Sequence, residues 1–316
     1  MNMDLLNKLI YLTDAAPSFF MRNNGTRNTT LNHSIMQSRR LLKKENVFGI
    51  RSDTNPHPFP EHTHDYIEIV FMYKGTKTNL VNGETVVLNQ GDILFLSQNC
   101  RHENLASTAY DAAVNFIVLP QFFERVLELL GPEETMLQRF IVQCLHGDME
   151  KASYLHFKIG EVTPVYNLVD NLIWNYVYNT PNQYSIAETT MALLFLQLLN
   201  HIDSISYNGD DSSLIFHVLN YIEANFADGS LKDLSELLYY DFNALSRQIK
   251  RLSGKTYTEL VQEKRLAQAC FMLTSTDFDI EEISRLVGYE NISYFHRLFR
   301  DHYGTSPKKY RTQFKK

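Results

Sequence analysis

Two groups of side chains in this sequence have the types and spacing to do chemistry. The first lies in residues 62–75, HTHDYIEIVFMYKG, and in residues 92–102, DILFLSQNCRH, which come after Gly91. Strand alternation puts His62, His64, Tyr66 and Glu68 on one face, with Ile67, Ile69 and Phe71 on the other. A polar face of this kind turns either to solvent or into a ligand cavity. In a cavity, His62, His64, Glu68, Arg101 and His102 are candidate polar contacts for an organic effector, and Tyr66 offers a ring on which a sugar can stack. The second group is helical: Asn243, Ala244, Ser246, Arg247 and Lys250, then Ile292, Ser293, His296, Arg297 and Arg300 further on. Hydrogen-bonding tips near the start of an outward-facing helix are what reading of base edges in a major groove requires. Arg247 and Arg297 can each fork onto guanine O6 and N7, while Lys250, Arg300, Lys308, Lys309 and Arg311 are better suited to phosphates.

The elements that must position the first group are short strands. A possible helix at Asp4–Leu12 and a polar loop at Arg22–Asn32 precede them. From Val47 to about Leu119 the runs Tyr66–Tyr73, Thr78–Val81, Glu84–Leu88, Asp92–Leu96 and Ala112–Val118 are separated by turn residues. Asn82-Gly83 between two runs signals a hairpin, because both positions take positive φ cheaply, and Gly75 and Gly91 punctuate the others. Many short antiparallel strands in so few residues predict a small barrel or sandwich. After Pro120 the pattern turns helical, with Gln121–Leu130, Glu133–Leu145, Val165–Asn179 and Ser185–Ile202 apolar at three- and four-residue spacing. The last of these is apolar around most of its second half, which predicts burial in a core or against a second subunit. The lone Trp174 is expected in the core or at an interface. Ser204–Ser213, SISYNGDDSS, is the best linker, and everything beyond it is helical.

The second group is carried by an internal repeat. Leu234–Gly254 has a partner in Ile283–Gly304, with Arg247 matching Arg297, Ile249 matching Phe299, Lys250 matching Arg300 and Gly254 matching Gly304. Each copy predicts a short helix, a tight turn and a second helix. In the second copy the first helix is Glu281–Val287, Gly288 takes the left-handed conformation that stops it, and Ser293–Tyr303 comes next, with Phe295, Leu298 and Phe299 inward. In the first copy Asp241 is the expected N-cap and Leu245, Ile249 and Leu252 face inward.

Composition agrees with this division. The chain has 316 residues, 44% hydrophobic and 21% charged, a globular profile with room for more than one domain. No run of eighteen apolar residues occurs, so no membrane span is expected. The start MNMDLLNKLIYLTD lacks the features of an export signal, and Cys100, Cys144 and Cys270 form no CxxC pair, which points to a reducing, cytoplasmic setting. The net charge of −6 argues against nucleic acid until it is divided. Residues 212–316 hold 15 Lys+Arg against 13 Asp+Glu, leaving −8 for the rest, and from Arg247 to the end the count is 14 against 8. An acidic front and a basic tail imply separate partners.

Over about 100 residues the tail resembles the DNA-binding domain of the AraC/XylS transcriptional regulators. The matching residues are Arg265-Leu-Ala-Gln-Ala269, Ile283-Ser-Arg-Leu-Val-Gly-Tyr289, Ser293-Tyr-Phe-His-Arg-Leu-Phe299 and Gly304-Thr-Ser-Pro-Lys-Lys-Tyr-Arg311. The resemblance implies two helix-turn-helix units held by a linking helix, roughly Thr256–Leu273, that read successive major grooves of double-stranded DNA. Tyr239-Tyr240 stands where the family usually has a turn glycine, which predicts a less regular first turn. The His-x-His-x₃-Glu-x₆-Gly and Gly-x₁₀-His spacings resemble the cupin barrel motifs, and in metal-binding cupins the matching positions, here His62, His64, Glu68 and His102, hold Fe, Mn, Ni, Cu or Zn. Ser97 and Asn99 replace the usual Pro and Gly before the last histidine. Regulators of this architecture often keep the histidines as part of an organic-ligand pocket, so no metal, no cofactor and no catalysis are expected. The alternative is a metal-binding cupin enzyme or metal sensor fused to a DNA-binding domain.

The expected fold is therefore α+β and multidomain: an arm over 1–45, a cupin-like effector-binding barrel over 46–120, a helical dimerisation or packing module over 121–206, a linker over 207–213 and an all-α domain with two helix-turn-helix units over 214–316. The expected function is ligand-responsive transcription regulation by a homodimer, with a small-molecule effector, a sugar by resemblance to regulators of sugar use, and RNA polymerase as a further candidate partner. A constitutive DNA-binding dimer whose barrel senses nothing is the remaining competitor.

Overall fold

The computed structural model describes residues 2–14, 34–42, 46–54, 57–129, 154–201, 204–207 and 214–314, which fall into two compact units. Glu133–Leu145, the Arg22–Asn32 loop and Cys144 lie outside the described residues.

The first unit is built on two sheets. Strands β1 (Ser34–Met36), β2 (Phe48–Asp53), β3 (Phe59–His64), β4 (Ile67–Lys74), β5 (Thr76–Val81), β6 (Glu84–Asn89), β7 (Ile93–Leu96), β8 (His102–Asn104), β9 (Ala112–Val118), β10 (Tyr154–Phe157) and β11 (Ile205–Tyr207) run in chain order. One sheet has the order β1-β3-β8-β5-β6, the other β11-β10-β7-β4-β9-β2. Asn82 and Gly83 turn the β5–β6 hairpin with φ of 52° and 86°, as the sequence predicts.

β4 is buried along almost its whole length because both of its faces are covered. Val70 and Met72 point inward to Val81, Leu88, Leu94, Leu96 and Tyr154, while Phe71 packs edge-on against Tyr166 of the helical layer. That layer comprises α1 (Met3–Asp14), α3 (Pro120–Glu128), α4 (Thr163–Tyr178) and α5 (Gln183–Leu199); a short α2 (Ser38–Leu41) comes after β1. α4 and α5 form a hairpin, with α1 packed on α4 and α3 on α5. Tyr73 ties sheet to helix by donating to Asp170 at 2.6 Å. Much of α5 is buried within the unit, including Met191, Leu194, Phe195 and Leu198. Trp174 is about half exposed, resting on Tyr178, rather than buried in the core.

Two expectations of the sequence are corrected. The segment after Pro120 is not wholly helical, since β10 pairs with β7, and the linker does not begin at Ser204, since Ile205–Tyr207 pair with β10. Together with β1, these strands bring residues from outside 46–120 into the sheets. Three- and four-residue strands are too short to show a period, and they are held by the ladder they complete.

The second unit is helical: α6 (Leu214–Asn225), α7 (Leu231–Leu237), α8 (Phe242–Ser253), α9 (Tyr257–Ser275), α10 (Ile280–Leu286), α11 (Ile292–Tyr303) and α12 (Pro307–Phe314). Its boundaries are set by local chemistry. Ser230 with Asp233 and Thr256 with Glu259 form capping boxes, Asp241 caps α8 by accepting from Ala244 N at 2.8 Å, and Asn291 caps α11 by accepting from Tyr294 N at 3.0 Å. The two repeat copies share one turn. Tyr240 N donates to Ser235 O at 2.9 Å in the first, and Tyr289 N to Ser284 O at 2.8 Å in the second. The first turn is thus as regular as the second, because Tyr239 takes the left-handed conformation (φ 53°) that Gly288 takes in the other copy (φ 86°). Leu245, Ile249, Phe295 and Phe299 are buried as expected, whereas Leu252 and Leu298 are only half-buried.

Candidate functional site

β3 delivers His62 and His64, β4 delivers Glu68 and β8 delivers His102, and all four side chains are buried. They do not share one strand, because the chain bends at Asp65–Tyr66 and passes from one sheet to the other. Pairing does what alternation along one strand would not. His62 and His102 are register partners across β3 and β8, and their rings lie 4.1 Å apart. His62 Nδ1 donates to Pro60 O at 3.0 Å and the ring also bonds the His102 backbone, while His64 Nδ1 donates to Tyr66 O at 2.6 Å, which leaves the His64 Nε2 as a bare acceptor. Glu68 Oε1 accepts from Asn115 Nδ2 at 2.8 Å, and its Oε2 lies 3.4 Å from His102 Nε2 and 3.7 Å from His64 Nε2.

Among the described residues, several inward polar atoms here have no hydrogen-bond partner: His64 Nε2, Glu68 Oε2, both ring nitrogens of His102, Asn79 Nδ2 and Asn115 Oδ1. Burial sets their charge. It pushes the Glu68 carboxyl up to about 7, with the Asp53 carboxylate adding and Lys77 and the Asn115 bond opposing. Burial lowers His64 to about 4, and it lowers His62 and His102 as well, the last also through its His62, His64 and Lys77 neighbours. At neutral pH the three imidazoles are neutral and offer lone pairs.

The polar lining continues along β5 and β8. Lys77 pairs with Asp53, Asn104 Nδ2 donates to Asp53 Oδ2 at 3.5 Å, and buried Asn79 sits opposite Asn104 in register. Sequence reading passed over Asp53, Lys77, Asn79, Asn104 and Asn115. The signal was present in Lys77-x-Asn79-x-Val81, where a period of two carries polar residues along the inward register of a strand.

Two expected contacts are placed elsewhere. Arg101 is exposed and pairs with Glu61 at 3.7 Å, since it precedes His102 and turns the opposite way. Tyr66 is buried with its ring stacked on His64 at 4.5 Å, so its face is already covered. A divalent metal fits part of the cluster: His62, Glu68 and His102 each offer one ligand atom, all within 4.8 Å of one another. His64 stands beside that trio, its orientation fixed by the bond to Tyr66 O. A metal held there would act as a Lewis acid toward an oxygen-bearing ligand.

In the helical unit, Asn243, Arg247 and Lys250 of α8 and Ser293, Arg297 and Arg300 of α11 are exposed, with Ala244, Ser246, Ile292 and His296 half-buried beside them. Lys308 and Lys309 are exposed on α12. Arg311 is used within the fold instead, donating to Leu273 O at 3.2 Å and Phe278 O at 2.6 Å. Two further residues organise this surface without having been expected to. Tyr294 places its ring 5.3 Å beneath the Arg297 guanidinium and accepts from Gln262 at 3.3 Å, which pre-orients the arginine. Arg265 of the linking helix donates to Phe226 O, Ala227 O and Gly288 O at 2.7 to 2.8 Å.

A barrel with a polar interior and a doubled helix-turn-helix on one chain define a sensor joined to a DNA-binding domain. Comparison with known proteins agrees: residues 45–113 match the AraC-like ligand binding domain and residues 234–313 match a helix-turn-helix domain. The chain belongs to the AraC family of ligand-responsive, DNA-binding transcriptional regulators. It is 24% identical to the HTH-type transcriptional activator RhaS of Escherichia fergusonii over 257 residues, covering 80% of this chain and 87% of that one. It is 29% identical to the transcriptional activator PerA of Escherichia coli O127:H6 over 244 residues, covering 74% and 87%. A solved structure of ToxT from Vibrio cholerae O395 is similar at 14% identity and a TM-score of 0.32, over 85% of this chain and 98% of that one. No described helix is long and apolar enough to cross a membrane.

Proposed function

We propose that this regulator is a cytoplasmic, non-catalytic protein that binds a small, uncharged, hydroxyl-rich molecule of the carbohydrate class inside the barrel. The observation that carries this is the set of inward donors and acceptors without partners on His64, Glu68, Asn79, His102 and Asn115. A hydroxyl both donates and accepts, so it matches such a mixed lining. The interior favours a neutral guest, because its lysine is paired with Asp53 and its imidazoles are neutral near pH 7. Asn243, Ala244, Ser246, Arg247, Lys250, Ile292, Ser293, His296, Arg297, Arg300, Lys308 and Lys309 are the proposed DNA contacts. The helical layer is the proposed homodimer face, and RNA polymerase is a further partner in this reading. Effector and DNA must change each other's affinity by the same factor.

A thermal-shift screen of the full chain against neutral sugars, uronic acids and amino acids, repeated with bound DNA, tests the reading. Stabilisation by a neutral sugar that disappears in Asn79→Leu supports it, and stabilisation only by charged compounds or by none overturns it. A second reading, a divalent metal on His62, Glu68 and His102, is favoured by the convergence of their ligand atoms. Elemental analysis of the tag-free protein decides it, with less than stoichiometric metal rejecting the idea.

A further inference from the structure

The turn of the first helix-turn-helix carries large apolar side chains in the open. Of residues 237–242, Leu237 is 62% exposed, Tyr239 98%, Tyr240 39% and Phe242 46%. The second copy treats the same turn differently. Its Tyr289 is 6% exposed under the Arg265 guanidinium, and a Cβ on Gly288 would meet Ala227 O at 2.2 Å. One turn is sealed against the protein and the other faces outward.

The backbone adds to the contrast. Tyr239 holds φ at 53°, and the other non-glycine residues with positive φ among those described are all asparagines. A side chain with a Cβ is strained in that conformation, so fold stability alone favours glycine there. The residues just after the turn indicate what the ring meets. Asp241 caps α8, Phe242 is the first residue of that helix, and Asn243, Arg247 and Lys250 continue its exposed face, with Lys250 and Arg251 in the last turn. The aromatic turn is therefore continuous with the proposed DNA-reading surface and stands at its leading edge.

We propose that Tyr239 and Phe242 form an aromatic DNA contact peculiar to the first reading unit, Tyr239 donating its hydroxyl to a backbone phosphate and Phe242 packing on a thymine methyl. The inference rests on the reading of α8 as a DNA-facing helix. The two side chains divide the work as phosphate and base contacts generally do, one positioning and the other specifying. Apolar contact with the thymine methyl distinguishes that base in the major groove without a hydrogen bond.

The test uses the full chain, the tightest duplex selected from a random pool and an unselected duplex, with affinities measured at one salt concentration. Tyr239→Gly is expected to unfold at an equal or higher temperature than wild type and to bind both duplexes about tenfold more weakly. Phe242→Ala is expected to lose about tenfold on the selected duplex only, and the loss should vanish when thymines in that duplex are replaced by uracil. Wild-type affinity in both variants overturns the proposal, including the case in which transcription falls while DNA binding does not, which would assign the turn to a protein partner. A wild-type chain that binds neither duplex overturns the DNA-reading assignment itself, and this inference with it.

Discussion

Glu68 and His102 face each other inside the barrel, Oε2 to Nε2 at 3.4 Å, and neither atom is hydrogen-bonded to anything among the described residues. Each buried polar group left in this state costs about 1–3 kcal/mol. The barrel therefore sacrifices stability at its centre, as binding sites do when their groups are kept ready for a guest.

His102→Phe tests that sacrifice directly. An apolar ring of similar size in place of the unpartnered imidazole is expected to raise the stability of the ligand-free protein by about 1–2 kcal/mol and to abolish ligand-induced stabilisation. Urea unfolding with and without the screened ligand reads both effects. Lower stability together with retained binding would place His102 outside the site.

Acidity acts on the same cluster in two opposing ways. Burial lowers His62, His64 and His102 from 6.5, so their contribution is present above about 6.5 and is lost as pH falls through the folded values. Burial raises Glu68 from 4.5 to about 7, so its contribution is present below 4.5 and is lost as pH rises through about 7. Between these limits His64 and His102 take up protons in the unfolded chain alone, His62 takes one up more readily there than in the folded chain, and Glu68 holds one in the folded chain. The histidines win, and the folded state loses stability on acidification by about 1.4 kcal/mol per pH unit for each net proton. Glu68→Gln removes the opposing group and is expected to steepen that loss, measured by urea unfolding from pH 7 to 5 with a chelator present. A shallower slope in the variant would contradict the assignment.

Arg297 and Arg311 should separate cleanly. Arg297→Ala is expected to cost about 1–3 kcal/mol on the preferred duplex and much less on random DNA, since the proposed role of its fork is to read a base. Arg311→Ala is expected to lower the melting temperature while leaving the salt dependence of DNA binding unchanged, because that guanidinium is spent on Leu273 O and Phe278 O. Equal losses on both duplexes for Arg297→Ala would make it a phosphate contact.

Arg265→Met strands three carbonyl oxygens that the guanidinium now satisfies and is expected to cost about 2–4 kcal/mol. Arg265→Lys should recover only part of this, since a single ammonium cannot spread over Phe226, Ala227 and Gly288 in one plane. Thermal unfolding of the full chain with both variants checks the order.

The helical unit was legible because its signals are local. Asp241, Asn291, Gly254 and Gly304 stop and start helices within a few residues of themselves, and duplication spelled the message twice. The hairpin at Asn82-Gly83 was legible for the same reason. The barrel was legible only as a pattern of strands. Which residues meet inside it depends on pairings between distant segments, so His62, Glu68 and His102 came together through the β3–β8 pairing and the β3-to-β4 bend rather than through the alternation that first linked His62 with Glu68. Lys77 and Asn79 were passed over because a period of two does not say which face of β5 turns inward. Arg101 and Arg311 read as binding residues because a lone arginine shows its charge and not its partner, and Glu61, Leu273 and Phe278 are distant in sequence and brought close only by folding.

The Arg265 clamp has a consequence for the operator as well as for the protein. It ties the end of α6, which packs against α8, to the turn in front of α11, so the two proposed reading helices are referred to one strut. One base pair inserted between the half-sites would move the second by about 3.4 Å and turn it by roughly 35° around the duplex. A strut that cannot stretch cannot follow that rotation. With α8 and α11 as the proposed readers, the expected DNA is defined by phase as much as by letters: substitutions within either half-site should weaken binding by degrees, and a single insertion between them should put one reader out of step altogether.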